Sequence, residues 1–276
     1  MSTDQNVMPI RASAFGGIFD CALRFQKEQL EGYRKPGSPR ALIGTGVHAG
    51  TAAFDSAKLQ HSPIRIDDAA GAAVDAIHER IASEGVDWMD GEPTRKEVES
   101  IALRVTTNYC ADISPRYAFE AVEMTTKPLD IDCGGGVTVR LTGTLDRSRV
   151  VVSDTGTRRG IKDVKTGKRA VSAAGIAETK KHKPQIGTYE LLYEHTTGLP
   201  IDGVSGIIGL NTAGKFQTGT GDVHGAKQLL LGTDQVPGLI EIAAQMFRSG
   251  LFPPNPQSPL CSERYCAFHS NCPYAD

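Results

Sequence analysis

The chain has 276 residues, of which 39% are hydrophobic and 22% charged, and its 30 basic residues nearly balance 32 acidic ones. This composition is typical of a folded protein with a sizeable core and excludes an intrinsically disordered chain. No run of about 18 apolar residues occurs, which excludes a membrane-spanning helix. The N-terminal segment also lacks the apolar stretch of a secretory signal, so we expect a cytoplasmic protein.

The first 115 residues are dominated by helix signals. Apolar residues recur at helical spacing in four segments, which are 13–30, 41–59, 67–84 and 94–111. Asp67 is predicted to cap the third helix, and Thr94 with Glu97 predicts a capping box at the start of the fourth. Two prolines and two glycines in GYRKPGSP (32–39) predict a loop between the first two helices.

After the helical part, β-branched residues and partial alternation predict strands, at 117–126, 137–145, 149–152, 160–165, 204–210 and 215–218. The glycines of CGGGV (133–137) predict a hairpin turn. Helices are predicted at 178–197 and at 222–248, the latter interrupted near Pro237, and the cysteine-rich tail 253–276 should be irregular. This order predicts an α/β fold with a central mixed β-sheet flanked by helices.

Two aspartates are predicted at the ends of adjacent strands. Asp146 follows VTVRLTGTL, and Asp163 lies 17 residues later in GIKDVKTGK. Successive side chains of a strand point to opposite faces, so Asp163 and Lys165 share one face and Val164 takes the other. Neighbouring carboxylates repel each other unless they share a proton or bind a cation, and their oxygens suit Mg²⁺ or Mn²⁺. A lysine beside them could orient a metal-bound water or offset charge on a phosphate, although D-x-K alone is a weak pattern.

Two further motifs lie before and after the aspartates. His48 occurs in GTGVHAG on the second predicted helix, and Gln185 and Tyr189 are four residues apart on one face of a later helix. Taken singly, the ordinary interpretations are an interior histidine and a packing pair. The order of the motifs along the chain is more distinctive, because G-x-x-x-H is followed by G-x-x-D, D-x-K-T-G and Q-x-x-x-Y.

Basic residues are concentrated around Asp163 and shortly after it. Six of them lie in 158–169 against one acid, and 180–183 reads KKHK. Solvated surface is the ordinary interpretation of such runs, and a groove that follows a phosphate backbone is the functional one. Charge alone does not separate the two.

In this ordered set the chain resembles the RecB-like branch of the PD-(D/E)XK nuclease superfamily, from about Ser13 to its end, most specifically from Glu123 through LTGTLDR to IKDVKTGK. The resemblance implies a mixed sheet flanked by helices and a divalent metal held by His48, Asp146, Asp163 and the carbonyl of Val164. Lys165 matches the catalytic lysine of the family, alongside Asp146 and Asp163. Gln185 and Tyr189 match the helix motif that contacts the substrate strand.

Four of the six cysteines form a second pattern. Cys21 lies near the N-terminus, and the tail reads Cys261-x4-Cys266-x5-Cys272-Pro273. Four thiolates can hold a zinc ion or an iron–sulfur cluster, and ligand count does not choose between them. The resemblance does choose: members such as AddB and the CRISPR-adaptation exonuclease bind a [4Fe–4S] cluster through one cysteine before the nuclease core and three after it. Cys110 and Cys133 are interpreted as buried small hydrophobic residues.

The resemblance therefore implies a Mg²⁺- or Mn²⁺-dependent DNA exonuclease that acts on ends or single strands and carries a structural [4Fe–4S] cluster. We expect one nuclease domain over 1–276, with a helical part at 1–115, a catalytic sheet and helix at 116–220, and a cluster-binding end at 221–276. Residues expected to bind the DNA backbone are Gln185, Tyr189, Lys168, Arg169, Lys181 and Lys183.

The expected partner is DNA, with a separate helicase or recombination protein as a further one. Any unwinding partner must be a separate protein, because no G-x-x-x-x-G-K-[ST] motif occurs in the chain. The pathway could be recombination, repair, phage DNA processing or CRISPR adaptation, and the oligomeric state is open. One alternative is a non-catalytic scaffold that binds DNA ends and retains the fold and cluster. Another is an electron-transfer protein, which would have no use for the acidic motifs.

Overall fold

The structure is a computed structural model that describes residues 6–154 and 156–275. Its α-helices are α1 (Phe15–Asp20), α2 (Ala22–Phe25), α3 (Pro39–Leu59), α4 (Ile66–Glu84), α5 (Arg95–Asn108), α6 (Lys183–Thr197), α7 (Ala226–Leu231) and α8 (Leu239–Ser249). Its strands are β1 (Val7–Arg11), β2 (Ala118–Thr125), β3 (Leu129–Asp132), β4 (Thr138–Thr142), β5 (Thr144–Ser153), β6 (Gly156–Gly167), β7 (Ser205–Asn211), β8 (Thr218–Val223), β9 (Gly232–Thr233) and β10 (Val236–Pro237).

The main sheet has five strands in the order β2-β5-β6-β7-β8. Only β6 and β7 run parallel, and the other neighbours are antiparallel. Alternate residues of β6 serve two cores: Val164 packs with α3 to α5 on one face, and Ile161 packs with α6 on the other. The prediction of a mixed sheet with helices on both faces is therefore confirmed.

Helix α3 packs closely on α4 because its small residues leave room for the neighbouring backbone. A Cβ at Gly50 would lie 2.6 Å from the carbonyl oxygen of Ala69, and one at Gly46 would lie 2.8 Å from that of Ala73. Gly46 and Gly50 of GTGVHAG thus set the distance between α3 and α4, and α3 carries His48 to Asp146 on β5.

A second, three-stranded sheet has the order β1-β4-β3, with β1 parallel to β4. Its apolar side chains share a core with the N-terminal helices, α7 and α8. CGGGV joins β3 to β4 in an antiparallel hairpin, as predicted. None of the helices that the structure describes has the length and apolar character needed to cross a membrane.

Several predicted helix boundaries are confirmed. Helix α3 spans nearly the predicted segment, and Thr94 and Glu97 form the predicted capping box at α5. The prediction that Asp67 caps α4 is wrong. Arg65 is the N-cap residue, and its backbone N–H donates to the carboxylate of Asp68 at 3.1 Å. Asp67 therefore lies inside the first turn.

Four predicted elements differ from the structure. The helix at 13–30 is interrupted at Cys21, whose backbone is extended (φ −149°, ψ 102°). The strand at 137–145 divides at Gly143, which packs tightly against Tyr189 of α6, and its halves join different sheets. The strand at 215–218 lies later, as β8, and the helix at 222–248 is replaced by α7, the β9–β10 hairpin and α8.

Candidate active site

The site lies where β5 and β6 separate. Their pairing ends at Arg147 opposite Lys162, so the backbone N–H of Val164 has no backbone partner on β5. The carboxylate of Asp146 takes this place, because its Oδ2 accepts a hydrogen bond from that N–H at 2.8 Å. Asp146 is thereby held between the two strands, with 7% of its surface exposed.

Asp163 is wholly buried beside this gap, on the face covered by α6. Lys165 Nζ lies 2.7 Å from its Oδ2, and the amide of Gln185 donates to its Oδ1 at 3.3 Å. Burial and the charge of Asp146 raise the pKa of Asp163, and the ammonium of Lys165 opposes that rise.

His48 approaches the same gap from α3. Its Nδ1 lies 3.5 Å from Asp146 Oδ2, and the backbone of Val164 is also beside the imidazole. Burial lowers the pKa of His48, and the nearby cations of Lys165 and Arg147 lower it further, whereas Asp146 raises it. A lowered pKa favours the neutral imidazole, which is the form that binds metal ions.

Glu123, for which the sequence motifs predict no role, lies beside His48 and Asp146. Among the residues described, ligand atoms of His48, Glu123 and Asp146 lie within 4.8 Å of one another. Glu123 lies on β2, between two residues paired with β5, and its φ of 46° is in the left-handed region that side chains other than glycine rarely adopt. Burial and the charge of Asp146 raise its pKa to about 7. A strained backbone such as that of Glu123 commonly marks a functional position.

A signal for Glu123 existed in the sequence but was incomplete. Its place on the strand before the hairpin that leads to Asp146 could have suggested proximity. The direction of its side chain depends on the positive φ, which strand alternation does not predict.

Gln185 and Tyr189 lie on α6 directly over the acidic group. The Gln185 amide donates to Asp163 and also to the Tyr189 hydroxyl at 3.0 Å. Both side chains are almost completely buried. Any contact with a substrate strand would therefore occur at the edge of this pair or after it moves.

Two of the four predicted basic residues line clefts, one in each of two. Lys181 and Gln185 line one cleft of about 570 Å³ together with Arg11, Arg24 and His182. Lys168 lines another of about 590 Å³, together with Arg40, Lys96 and Arg104. Arg169 and Lys183 line neither of these clefts.

Two other basic residues of the 158–169 run turn into the protein. Lys162 is buried near Asp222, and Arg159 pairs with Glu120 at 3.0 Å. In the 158–169 run, Lys168 therefore lines a cleft, whereas Arg159 and Lys162 form ion pairs within the protein. The run does not form one continuous basic surface.

The four cysteines of the second pattern come together although they are up to 251 residues apart in the sequence. Cys21, Cys261, Cys266 and Cys272 line a single pocket between the N-terminal helices and the tail. Polar contacts dock the tail there: Asn255 donates to the Asp20 carbonyl at 2.8 Å, and Glu28 accepts from the Ala267 N–H at 2.9 Å. Cys110 is buried in the helical core, and Cys133 lies half-buried at the β3–β4 turn.

The match to one family model agrees with this fold. A family model for the PD-(D/E)XK nuclease superfamily matches residues 12–273, which include the acidic group and all four pocket cysteines. The chain is also similar to the crystal structure of a protein from Eubacterium rectale described as a candidate exonuclease. That similarity has a TM-score of 0.49 and 14% sequence identity, and covers 91% of this chain and 85% of the other. A comparison with curated proteins gives no match.

Proposed function

Because the chain belongs to the PD-(D/E)XK nuclease superfamily, we propose that it is a Mg²⁺- or Mn²⁺-dependent deoxyribonuclease of the RecB-like branch that degrades DNA from ends. The observation that carries this proposal is the convergence of Glu123, Asp146 and His48 beside the buried pair of Asp163 and Lys165. As expected from the sequence, we propose a single nuclease domain over the whole chain.

The donor set fits a hard divalent cation. Its clustered members, His48, Glu123 and Asp146, supply carboxylate oxygens and one imidazole, which are ligands that Mg²⁺ and Mn²⁺ accept. We propose His48, Glu123, Asp146, Asp163 and the carbonyl of Val164 as the residues that would hold it. When bound, the cation supplies polarisation of the scissile phosphate and a lower pKa for the attacking water.

The remaining groups act on the substrate and the water. The ammonium of Lys165, beside Asp163, would orient the attacking water and offset the negative charge that develops on the phosphate. Gln185 and Tyr189 would hold the strand where α6 covers the site. Lys181 and Lys168, one in each cleft, would contact the DNA backbone, with Arg169 and Lys183 adding charge nearby.

The cysteine pocket supports the proposal of a [4Fe–4S] cluster. Cys21, Cys261, Cys266 and Cys272 line one pocket, and four thiolates can hold a zinc ion or a four-iron cluster. The resemblance to nucleases that carry one cysteine before the core and three after it favours the cluster. Its role would be structural, fastening the tail to the N-terminal helices.

The test combines substrate ends with a site variant. The protein, purified without oxygen, is incubated with end-labelled linear and with circular single-stranded DNA, in Mn²⁺ or in EDTA. We expect metal-dependent loss of the linear DNA only, and no loss with Asp163→Ala. Asp154→Asn, in the exposed β5–β6 turn, is the matched control and should retain full activity.

Each other outcome has a defined meaning. Loss of circular DNA as well would make the enzyme an endonuclease with the same site. Degradation that survives Asp163→Ala and Lys165→Ala would overturn the assigned site. DNA that is bound but not cut would favour a non-catalytic scaffold that works with a separate helicase or recombination protein.

A further inference from the structure

Arg147 directly follows Asp146 on β5 and is the largest fully buried side chain of the described chain. Its guanidinium donates four hydrogen bonds, which join two regions of the molecule. Nε donates to Asp55 Oδ2 at 2.7 Å, Nη1 to the Asp146 carbonyl at 2.8 Å and to Glu123 Oε1 at 3.3 Å, and Nη2 to Thr51 Oγ1 at 3.3 Å.

On the side away from the site, Asp55 anchors this guanidinium. Asp55 lies on α3 and is itself buried, and its two oxygens also accept hydrogen bonds from the hydroxyls of Tyr109 at 2.7 Å and Ser114 at 2.5 Å. A buried ion pair is stable only when its remaining hydrogen-bonding groups are satisfied, and here they are. Asp55 therefore holds Arg147 in one orientation.

On the side toward the site, the same guanidinium contacts both Asp146 and Glu123. It holds the backbone of Asp146 through the carbonyl, and it approaches the carboxylate of Glu123, whose own backbone is strained. A strained residue keeps its conformation only when its surroundings hold it there. Among the described residues, Arg147 is the hydrogen-bond donor that holds the Glu123 side chain.

We propose that Arg147, anchored on Asp55, is a positioning residue that sets Glu123 and Asp146 for divalent-cation binding. The inference rests on the proposed function, because it assumes that those two carboxylates bind a cation. A planar guanidinium can donate in three directions at fixed angles, whereas a lysine ammonium in the same place is a point charge on a flexible stem. The geometry therefore requires arginine specifically.

The experiment measures Mn²⁺ binding without DNA, by titration calorimetry, and the rise in melting temperature that Mn²⁺ causes. Arg147→Lys keeps the positive charge but loses the planar guanidinium with its fixed donor directions. We expect the Mn²⁺ affinity of this variant to fall about tenfold or more, as for other groups that orient metal ligands. The matched control is Arg159→Lys, which alters an ion pair with Glu120 on the same sheet and should leave Mn²⁺ affinity unchanged.

A role in folding alone would give a different pattern. Such a variant would melt at a lower temperature with and without Mn²⁺, and the increment caused by Mn²⁺ would equal that of the wild type. That result, or unchanged Mn²⁺ affinity, would overturn the inference and leave the proposed function standing. Absence of Mn²⁺ binding by the wild type would overturn the proposed metal site, and this inference with it.

Asp55→Asn provides a second variant if Arg147→Lys does not fold. It preserves the shape of the anchor but removes its charge, so Arg147 is released to pair more strongly with Glu123 and to compete with the cation. We expect weaker Mn²⁺ binding in the same direction but to a smaller extent. Affinity equal to that of the wild type would contradict the proposed anchoring.

Discussion

The carboxylate of Asp146 accepts a 2.8 Å hydrogen bond from the backbone N–H of Val164, at the point where β5 and β6 stop pairing. The Asp146 side chain thus replaces a missing backbone acceptor between β5 and β6, and it also lies beside His48 and Glu123. Its two tasks predict separable effects of substitution, because an amide can replace the hydrogen-bond acceptor but not the charge.

We expect both Asp146→Ala and Asp146→Asn to abolish metal-dependent cleavage, since neither supplies the carboxylate. Only Asp146→Ala leaves the Val164 N–H without its acceptor, which costs about 1–3 kcal/mol of folding free energy. Urea denaturation in EDTA measures the stability, and degradation of labelled linear DNA measures the activity. Equal free energies of unfolding for Asp146→Ala and Asp146→Asn would contradict the role of Asp146 as the acceptor for the Val164 N–H.

The pH dependence of stability without metal follows from the raised pKa values at the site. Burial raises the pKa of Asp163, and it raises that of Glu123 to about 7. The folded state therefore binds more protons than the unfolded state above the ordinary carboxyl range, so these groups lower stability as pH rises toward 7. The contribution of Glu123 should be the smaller one, because 40% of its side chain is exposed.

Melting in EDTA between pH 5 and 8 checks this sign. His48 and His182 have lowered pKa values and act in the opposite direction, so the informative quantity is the difference between wild type and Asp163→Asn. We expect Asp163→Asn to be less destabilised by rising pH than the wild type, and added Mn²⁺ to stabilise the wild type most at pH 8. Parallel pH profiles would contradict the assignment.

Sequence patterns were sufficient where one local rule determined the structure. Thr94 and Glu97 form the predicted capping box, and Asp163 and Val164 face opposite cores as strand alternation requires. Patterns failed where distant contacts override local preference. The run around Cys21 has helical spacing, but the chain is extended there, and the tail residue Asn255 donates to the Cys21 sulfur.

Glu123 shows the same limit within the site. Its left-handed backbone and its contact with Arg147 arise from the packing of β2, β5 and α3 together. No window of sequence around Glu123 contains that information. The roles carried over from the family resemblance, including those of Gln185 and Tyr189, stay predictions that the proposed experiments address.

The close packing of α3 on α4 predicts a cost for a single added methyl group. Gly50→Ala would place its Cβ 2.6 Å from the Ala69 carbonyl and 2.7 Å from Thr106, so we expect a loss of about 1–3 kcal/mol. Gly71→Ala on α4 is the control, since its Cβ would meet open space and alanine favours helix by about 1 kcal/mol. Denaturant midpoints check both, and a Gly50→Ala midpoint equal to wild type would contradict the packing.

The cysteine pocket predicts loss of iron when any of its members is replaced. We expect wild-type protein purified without oxygen to contain about four irons, and Cys21→Ala to lose most of them. The tail of that variant should become more sensitive to protease, since the proposed cluster fastens it to the N-terminal helices. Cys133→Ala, outside the pocket, should retain iron and protease resistance. Wild-type protein that contains zinc in place of iron would overturn the cluster.

The two clefts predict how salt affects DNA binding. Each lysine that neutralises a phosphate of single-stranded DNA contributes about 0.7 to the slope of log affinity against log salt concentration. Lys181→Ala and Lys168→Ala should each reduce that slope by about this amount, and the double variant by about twice as much. Lys127→Ala, an exposed lysine that lines neither cleft, should leave the slope unchanged. Binding measured with catalytically inactive Asp163→Ala avoids degradation of the probe. A slope unaffected by both cleft variants would place the path of the DNA elsewhere on the surface.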